Sequence, residues 1–232
     1  MSKKPRVLIS VPCLSERGGW VNPHLAANLA EFAKMPNYDV TVKTLIDGKP
    51  WHVPLNTAVL HAKQGKFDWL LNIENDNCFV TQPFYSVLKQ ATERQKIITL
   101  PYPCVESINH KWDLHWVVPE PIGKDGNFYE VESGGLGGCF IHRDVWEKMP
   151  MPMFRTTFRD DETQSVLSTP DCYFFPSARA AGFKVWTHFG CVLRHFHTMD
   201  LRACAEKLST PYASAKYAAV AYAEWRRDVG CA

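Results

Sequence analysis

The sequence predicts an α/β protein with a mainly parallel central sheet flanked by helices and a smaller mixed portion. Three observations carry this. Apolar runs of strand length alternate with stretches of helical periodicity through the first hundred residues. The first run, Val7-Leu8-Ile9-Ser10-Val11, ends at Pro12 and has the profile of a strand buried on both faces. The composition is that of a globular chain: 232 residues, 46% hydrophobic, with 26 Lys+Arg against 24 Asp+Glu and a net charge of +2.

Taken in order, the first strand is followed by a loop with Ser15, Gly18 and Gly19 and then by a helix from Pro23 to Met35. Asn22 before Pro23 reads as a helix cap with proline in the first turn, and Leu25, Leu29, Phe32 and Ala33 keep helical spacing. Tyr38 to Ile46 alternates and closes on Asp47-Gly48, a second strand with its turn. Leu55 to Gln64 is a helix, Phe67 to Ile73 a third strand, Pro83 to Arg94 a helix and Lys96 to Leu100 a strand. Strands alternating with helices imply right-handed crossovers, the organisation of one half of a doubly wound fold. Between Tyr102 and Tyr129 prolines and glycines punctuate short segments, and a meander or insertion over the sheet is expected. Strand patterns return at Tyr129 to Glu132 and Cys139 to Ile141, around the glycine run 134–138, and a short helix covers Arg143 to Lys148. Asp171 to Gly182 reads as a helix despite Pro176, Lys184 to His188 as a strand and Leu208 to Arg227 as a terminal helix. No linker divides the chain, so a single domain over 1–232 is expected.

The small net charge places no strong demand for an acidic or basic partner. Eight cysteines are dispersed without a C-x-x-C pair, and most read as small buried residues of a reducing, cytoplasmic compartment. The N-terminal apolar run is too short for a signal peptide, and no stretch reaches the 18 or more apolar residues of a membrane span. The glycine run has no G-x-x-x-x-G-K-[ST] pattern, and no G-x-G-x-x-G follows the first strand. G-x-S-x-G and H-E-x-x-H are also missing from the sequence.

Glu74-Asn75-Asp76 directly follows the third strand. If the extended conformation continues, both carboxylates leave its C-terminal end on one side, forming an oxygen half-site for Mg²⁺ or Mn²⁺. A solvated acidic turn is the competing reading. His195-Phe196-His197 places two imidazoles on one side in the same way; one could complete a site with Asp76, or both could be ordinary surface or core histidines. Asp171 opens a helix and reads either as a helix-start carboxylate or as a general base. Arg159-Asp160-Asp161-Glu162 reads as a solvated loop. His110 to Trp116, with Trp112 and Trp116, is either a stacking platform for an acceptor or a hydrophobic flap.

In order and spacing, these pieces resemble GT-A-type glycosyltransferases, which bind a nucleotide-sugar on a Rossmann-type half. The elements that carry the resemblance are Val7 to Pro12, Glu74-Asn75-Asp76 as a D-x-D-like motif, Glu132 to Arg143, Asp171 to Phe174, and Ala180-Ala181-Gly182-Phe183-Lys184-Val185. They span roughly residues 6 to 200. The resemblance implies a nucleotide-binding half over 6–101, an acceptor and metal-completing half over 102–200 and a C-terminal helix over 201–232. It implies a Mn²⁺ or Mg²⁺ ion on Asp76 and His195, with Glu74 on metal or ribose and His197 as the alternative to His195. Pro12, Leu14, Glu16, Asp47 and Asn75 would contact the UDP- or GDP-sugar, and Asp171 would approach the acceptor hydroxyl, as its base, or the donor sugar. Gly134, Gly135, Trp112 and Trp116 would lie on the acceptor side. The implied reaction is sugar transfer to a glycan, lipid, protein or hydroxymethylated DNA base. A nucleotidyltransferase and a catalytically inactive nucleotide-sugar-binding module are the alternatives.

Overall fold

The computed structural model describes residues 4–13, 21–46, 50–79, 81–108, 111–160 and 166–196, and the statements below refer to these. Leu14, Glu16, Asp47, His197 and the expected helix over 201–232 lie outside them.

The eight-stranded sheet has the order β2-β1-β3-β10-β5-β13-β9-β8. Its members are β1 (Arg6–Cys13), β2 (Asp39–Ile46), β3 (Trp69–Ile73), β5 (Ile97–Thr99), β8 (Gly123–Asp125), β9 (Phe128–Val131), β10 (Gly138–His142) and β13 (Val185–Thr187). Following the pairings across the sheet, β2, β1, β3, β5, β13 and β8 run one way, and β10 and β9 run the other. The mainly parallel direction expected from the sequence is present, with β10 inserted antiparallel between β3 and β5.

Side chains alternate across the sheet, as a doubly covered strand requires. Leu8, Leu70, Ile97, Cys139, Ile141 and Val185 face one core with α2 (His52–Gln64), α4 (Arg143–Lys148) and α5 (Pro170–Ala180). Val7, Ile9, Val11, Leu71, Ile73, Ile98, Phe140 and Trp186 face the other with α1 (Pro23–Phe32) and α3 (Thr81–Gln90). Pro12 has no N–H to donate, and it sits where the β1–β3 ladder has already ended at Ser10 and Asn72. α1 begins as the sequence predicts: the Asn22 side chain accepts the His24 N–H at 2.8 Å, and Pro23 occupies the first turn. α5 holds its helical course through exposed Pro176.

The expected insertion is a hairpin of β6 (Pro103–Ile108) and β7 (Lys111–Trp116), in register from Pro103 opposite Trp116 to Ile108 opposite Lys111. Two further small ladders pair β4 (Asn77–Cys78) with β14 (Arg194–His195), and β11 (Thr157–Phe158) with β12 (Val166–Ser168). Among the described cysteines Cys13, Cys78, Cys139 and Cys191 are buried thiols, Cys104 is half-buried and Cys172 is exposed; none of the six is in a disulfide. No helix of the described residues is long and apolar enough to cross a membrane.

Candidate metal centre

Strand β1 leads through α1 to β2 on one side, and β2 returns through α2 to β3 on the other. The C-terminal ends of β1 and β3 therefore flank a topological switch point, where open α/β sheets bind ligands. Glu74, Asn75 and Asp76 leave β3 at this edge. They do not continue the strand, as the alternation reading expects. The Asn77 N–H closes back on the Glu74 carbonyl at 3.1 Å, so the segment is a turn with Asn75 and Asp76 at its centre. Asn and Asp favour such positions because their short polar side chains satisfy turn backbone groups. The carboxylates converge because the chain turns, and Asn75 is buried between them, its carbonyl taking the Asn22 N–H at 3.0 Å.

His195 reaches this turn through the short antiparallel ladder that sets it opposite Asn77 and Arg194 opposite Cys78. The Phe196 N–H adds a bond to the Asp76 carbonyl at 2.8 Å. Glu74, Asp76 and His195 can each offer one ligand atom, and these atoms all lie within 4.8 Å of one another. His195 Nδ1 is 2.8 Å from the Pro103 carbonyl oxygen, a bond that requires the proton on Nδ1. In the neutral ring Nε2 then carries the lone pair, and it faces Asp76 Oδ2 at 3.5 Å. Two carboxylates and an imidazole whose other nitrogen is committed to a carbonyl are a donor set suited to Mn²⁺, and to Mg²⁺ through the carboxylates.

The glycine run packs directly on this cluster. The Gly137 carbonyl accepts the Glu74 N–H at 3.2 Å and Asn77 Nδ2 at 3.0 Å, and its own N–H donates to the Tyr102 hydroxyl at 3.2 Å. Asn72 Nδ2 holds the Leu136 carbonyl at 2.6 Å, and Thr99 Oγ1 holds that of Gly135 at 2.9 Å. A Cβ on Gly137 would lie 2.6 Å from Asn77 Nδ2 and 2.7 Å from both Glu74 Oε2 and the Tyr102 hydroxyl. At Gly134 and Gly135 the same space is filled by Thr99 and Tyr102.

Burial pushes the Glu74 carboxyl up to about 7, with the charges of Asp76 and Asp171 adding to the rise and His195 opposing it. Burial alone would lower His195, but its bonds to Asp76 and to the Pro103 carbonyl hold it above the ordinary histidine value. Burial raises the Tyr102 hydroxyl well above its usual range, and the Glu74 and Asp171 charges act in the same direction. The charge of Asp171, in the first turn of α5, is therefore felt at Glu74 and at Tyr102.

Of the remaining sequence candidates, Pro12 is buried near the end of β1, and Gly134 and Gly135 are buried beside Thr99 and Tyr102. Trp116 is half-buried and pairs in the hairpin with Pro103, whose carbonyl holds His195. Trp112 belongs to β7. Arg159 and Asp160 are exposed. Tyr102 and Pro103 were not among the sequence candidates. They read there as punctuation in a proline-rich stretch, and the Pro-Tyr-Pro triplet that ends β5's run was the one available signal.

No protein-family model and no curated protein sequence matches this chain. Among solved structures it is similar to the A197 protein from STIV, at a TM-score of 0.58 and 18% identity, covering 83% of this chain and 86% of that one. It is similar to GalNAc-T7 crystallised with UDP, GalNAc and Mn²⁺, at a TM-score of 0.50 and 10% identity. That match covers 100% of this chain and 55% of the other, so this chain spans little more than half of that protein. A third likeness, to S. aureus TarS 1-349 in complex with UDP-GlcNAc, has a TM-score of 0.46 and 13% identity, covering 90% of this chain and 62% of that one. At these identities the likenesses concern architecture, and the architecture is a GT-A-like α/β fold.

Proposed function

We propose that the protein is a divalent-metal-dependent glycosyltransferase that moves a sugar from a nucleotide-sugar to a hydroxyl acceptor. The observation that carries this reading is the convergence of Glu74, Asp76 and His195 at the switch-point edge of the sheet. Bound there, Mn²⁺ or Mg²⁺ would supply Lewis acidity toward the diphosphate leaving group. Asp76 and Glu74 provide the negative charge, and His195 Nε2 provides the neutral donor that its Nδ1 bond pre-orients. The donor nucleotide lies over the ends of β1 and β3, with Pro12, Leu14, Glu16, Asp47 and Asn75 as its contacts. Asp171, in the first turn of α5, takes the proton of the acceptor hydroxyl. The β6–β7 hairpin, with Trp112 and Trp116, forms the acceptor wall, and Gly134 and Gly135 shape it by letting Thr99 and Tyr102 pack close.

The test is incubation with a panel of UDP- and GDP-sugars in Mn²⁺ or Mg²⁺, read as free nucleoside diphosphate. Release that disappears with EDTA and in Asp76→Asn is expected. Pyrophosphate release would reassign the chemistry to nucleotidyl transfer, and donor binding without any turnover would leave a binding module.

A further inference from the structure

We infer that Tyr102 is a positioning residue of the metal centre: its ring, together with the Pro103 carbonyl, fixes the rotation of His195, and its hydroxyl holds the Glu74 backbone through Gly137. The inference rests on the metal reading above and concerns how this chain holds the three donors together. Pro101, Tyr102 and Pro103 form a rail along which the downstream strand docks. The Pro101 carbonyl accepts the Leu193 N–H at 2.9 Å, and the Pro103 carbonyl holds His195 Nδ1 at 2.8 Å. Between them the Tyr102 ring meets the His195 ring edge-to-face, with centroids 5.4 Å apart and planes at 79°. The prolines fix their own φ angles, and Pro103 biases Tyr102 toward extended backbone, which stiffens the rail between the two carbonyls.

The hydroxyl end of the same side chain serves the acidic half of the centre. It accepts the Gly137 N–H at 3.2 Å, and the Gly137 carbonyl in turn accepts the Glu74 N–H and Asn77 Nδ2. Tyr102 is buried, and a Cβ on Gly135 or Gly137 would run into its hydroxyl, so the glycines are small where this side chain needs room. The Val117 N–H bond to the Tyr102 carbonyl at 3.1 Å anchors the rail to the segment that follows β7. One side chain thus touches the imidazole from residue 195 and the loop that orients the carboxylate from residue 74. These two ligands come from distant parts of the chain and share no direct bond among those described. Losing the tyrosine leaves His195 beside the acidic turn through the β4–β14 ladder and the Phe196 bond to Asp76, and removes the ring contact on the imidazole and the bond to the Gly137 N–H.

The test compares Tyr102→Phe, Tyr102→Leu and Gly135→Ala with the wild type by Mn²⁺ titration calorimetry and by ¹⁵N NMR of the His195 ring, on protein shown to be folded by circular dichroism. Leu is expected to weaken Mn²⁺ binding by about 10–100-fold, the usual cost of losing a group that orients a metal ligand. It is also expected to blur the Nδ1-protonated signature of His195. Phe keeps the ring and loses one hydrogen bond, so a loss of about 3–10-fold with the tautomer signature intact is expected. Gly135→Ala, which displaces the hydroxyl, should follow Phe or exceed it. Unchanged Mn²⁺ affinity in both Tyr102→Phe and Gly135→Ala would overturn the inference while leaving the metal site standing. If the wild type itself bound no Mn²⁺, the metal reading and this inference would fall together.

Discussion

The two flanks of the sheet are assembled differently. On one flank β2, β1 and β3 come from the first 73 residues and pair in parallel through helical crossovers. On the other, β10, β5, β13, β9 and β8 are drawn from residues 97–187 and change direction across most of their ladders. The first flank places the acids by local chain geometry. The second places nothing at the centre by itself; it supplies the glycine run and the rail, and it lets β14 dock far-downstream His195 against β4. The centre is therefore a joint between a locally encoded edge and a long-range assembly, and it should be more sensitive to changes in the joint than to changes in either flank.

The largest effect is expected where one donor from each flank is removed. Asp76→Asn and His195→Ala should each weaken Mn²⁺ binding by at least 10-fold, and the double variant by no more than either single alone if the remaining pair cannot hold the ion. Calorimetric titration checks this. Full additivity of the two losses would show that the flanks bind the ion independently and would remove the joint from the account.

Gly137→Ala sharpens the same comparison with no change of charge. Its Cβ would press on Asn77, Glu74 and Tyr102 together, for an expected loss of about 1–3 kcal/mol in stability and a clear loss of Mn²⁺ affinity. Gly126 offers the contrast: it sits at φ +60° in the β8–β9 turn with nothing within 4 Å of a Cβ. Gly126→Ala should cost about 1 kcal/mol of backbone strain and leave Mn²⁺ binding untouched. Urea melts and metal titrations on both variants separate crowding at the joint from strain in a remote turn.

These contrasts show what was legible in the sequence. The buried run of β1, the Asn22-Pro23 helix start and the acids after β3 are encoded within a few residues each, so periodicity and capping chemistry reveal them. The His195-Phe196-His197 pair is visible in the sequence, but the choice of His195 over His197 rests on the resemblance to a family pattern, because nothing local joins either to Asp76. At Glu74-Asn75-Asp76 the sequence leaves extended strand and acidic turn both open, because period-2 spacing predicts the same convergence of carboxylates that a turn produces. The antiparallel seat of β10 and the part played by Tyr102 were not legible. Both depend on which distant segments meet, and a tyrosine between two prolines carries no periodic signal.

A smaller effect is expected from pH. The fold holds Glu74 above its ordinary value, at about 7, so it favours the protonated acid. That contribution is complete below the ordinary glutamate value of 4.5 and is lost as pH rises to about 7. His195 is also held above its ordinary 6.5, so its contribution is present below that value and lost as pH rises past the folded-state value. Asp144, for which burial is outweighed by Lys96, acts only at lower pH, where stability is lost as pH falls. His61, His142 and His188, which burial holds below the ordinary histidine value, act in the opposite sense, and their contribution is gained as pH rises to 6.5. Between pH 6.5 and pH 8, above that opposing range, the metal-free protein should therefore lose on the order of 1 kcal/mol. Saturating Mn²⁺ should restore most of it at the upper end, where the ligands are deprotonated. Urea titrations in EDTA that showed stability climbing over this range would contradict the arrangement.

The smallest effects separate two helix starts, one at each side of the joint. Asn22 caps α1 with its side chain and gives its backbone N–H to the Asn75 carbonyl. Thr169, at the start of α5, makes no capping bond, and its hydroxyl is directed to Cys172 Sγ at 3.4 Å. Asn22→Ala should cost about 1 kcal/mol, and Thr169→Ala no more than about 0.5 kcal/mol. Neither should change Mn²⁺ affinity, because alanine keeps the Asn22 N–H and its tether to the acidic turn. Asn22→Pro removes that donor as well, at a backbone φ of −52° that proline accepts. Any fall in Mn²⁺ affinity seen in Asn22→Pro and not in Asn22→Ala then measures the tether alone. A few-fold loss is expected if the start of α1 helps to hold the Glu74–Asp76 turn, and equal affinities would assign that turn entirely to Gly137 and Tyr102.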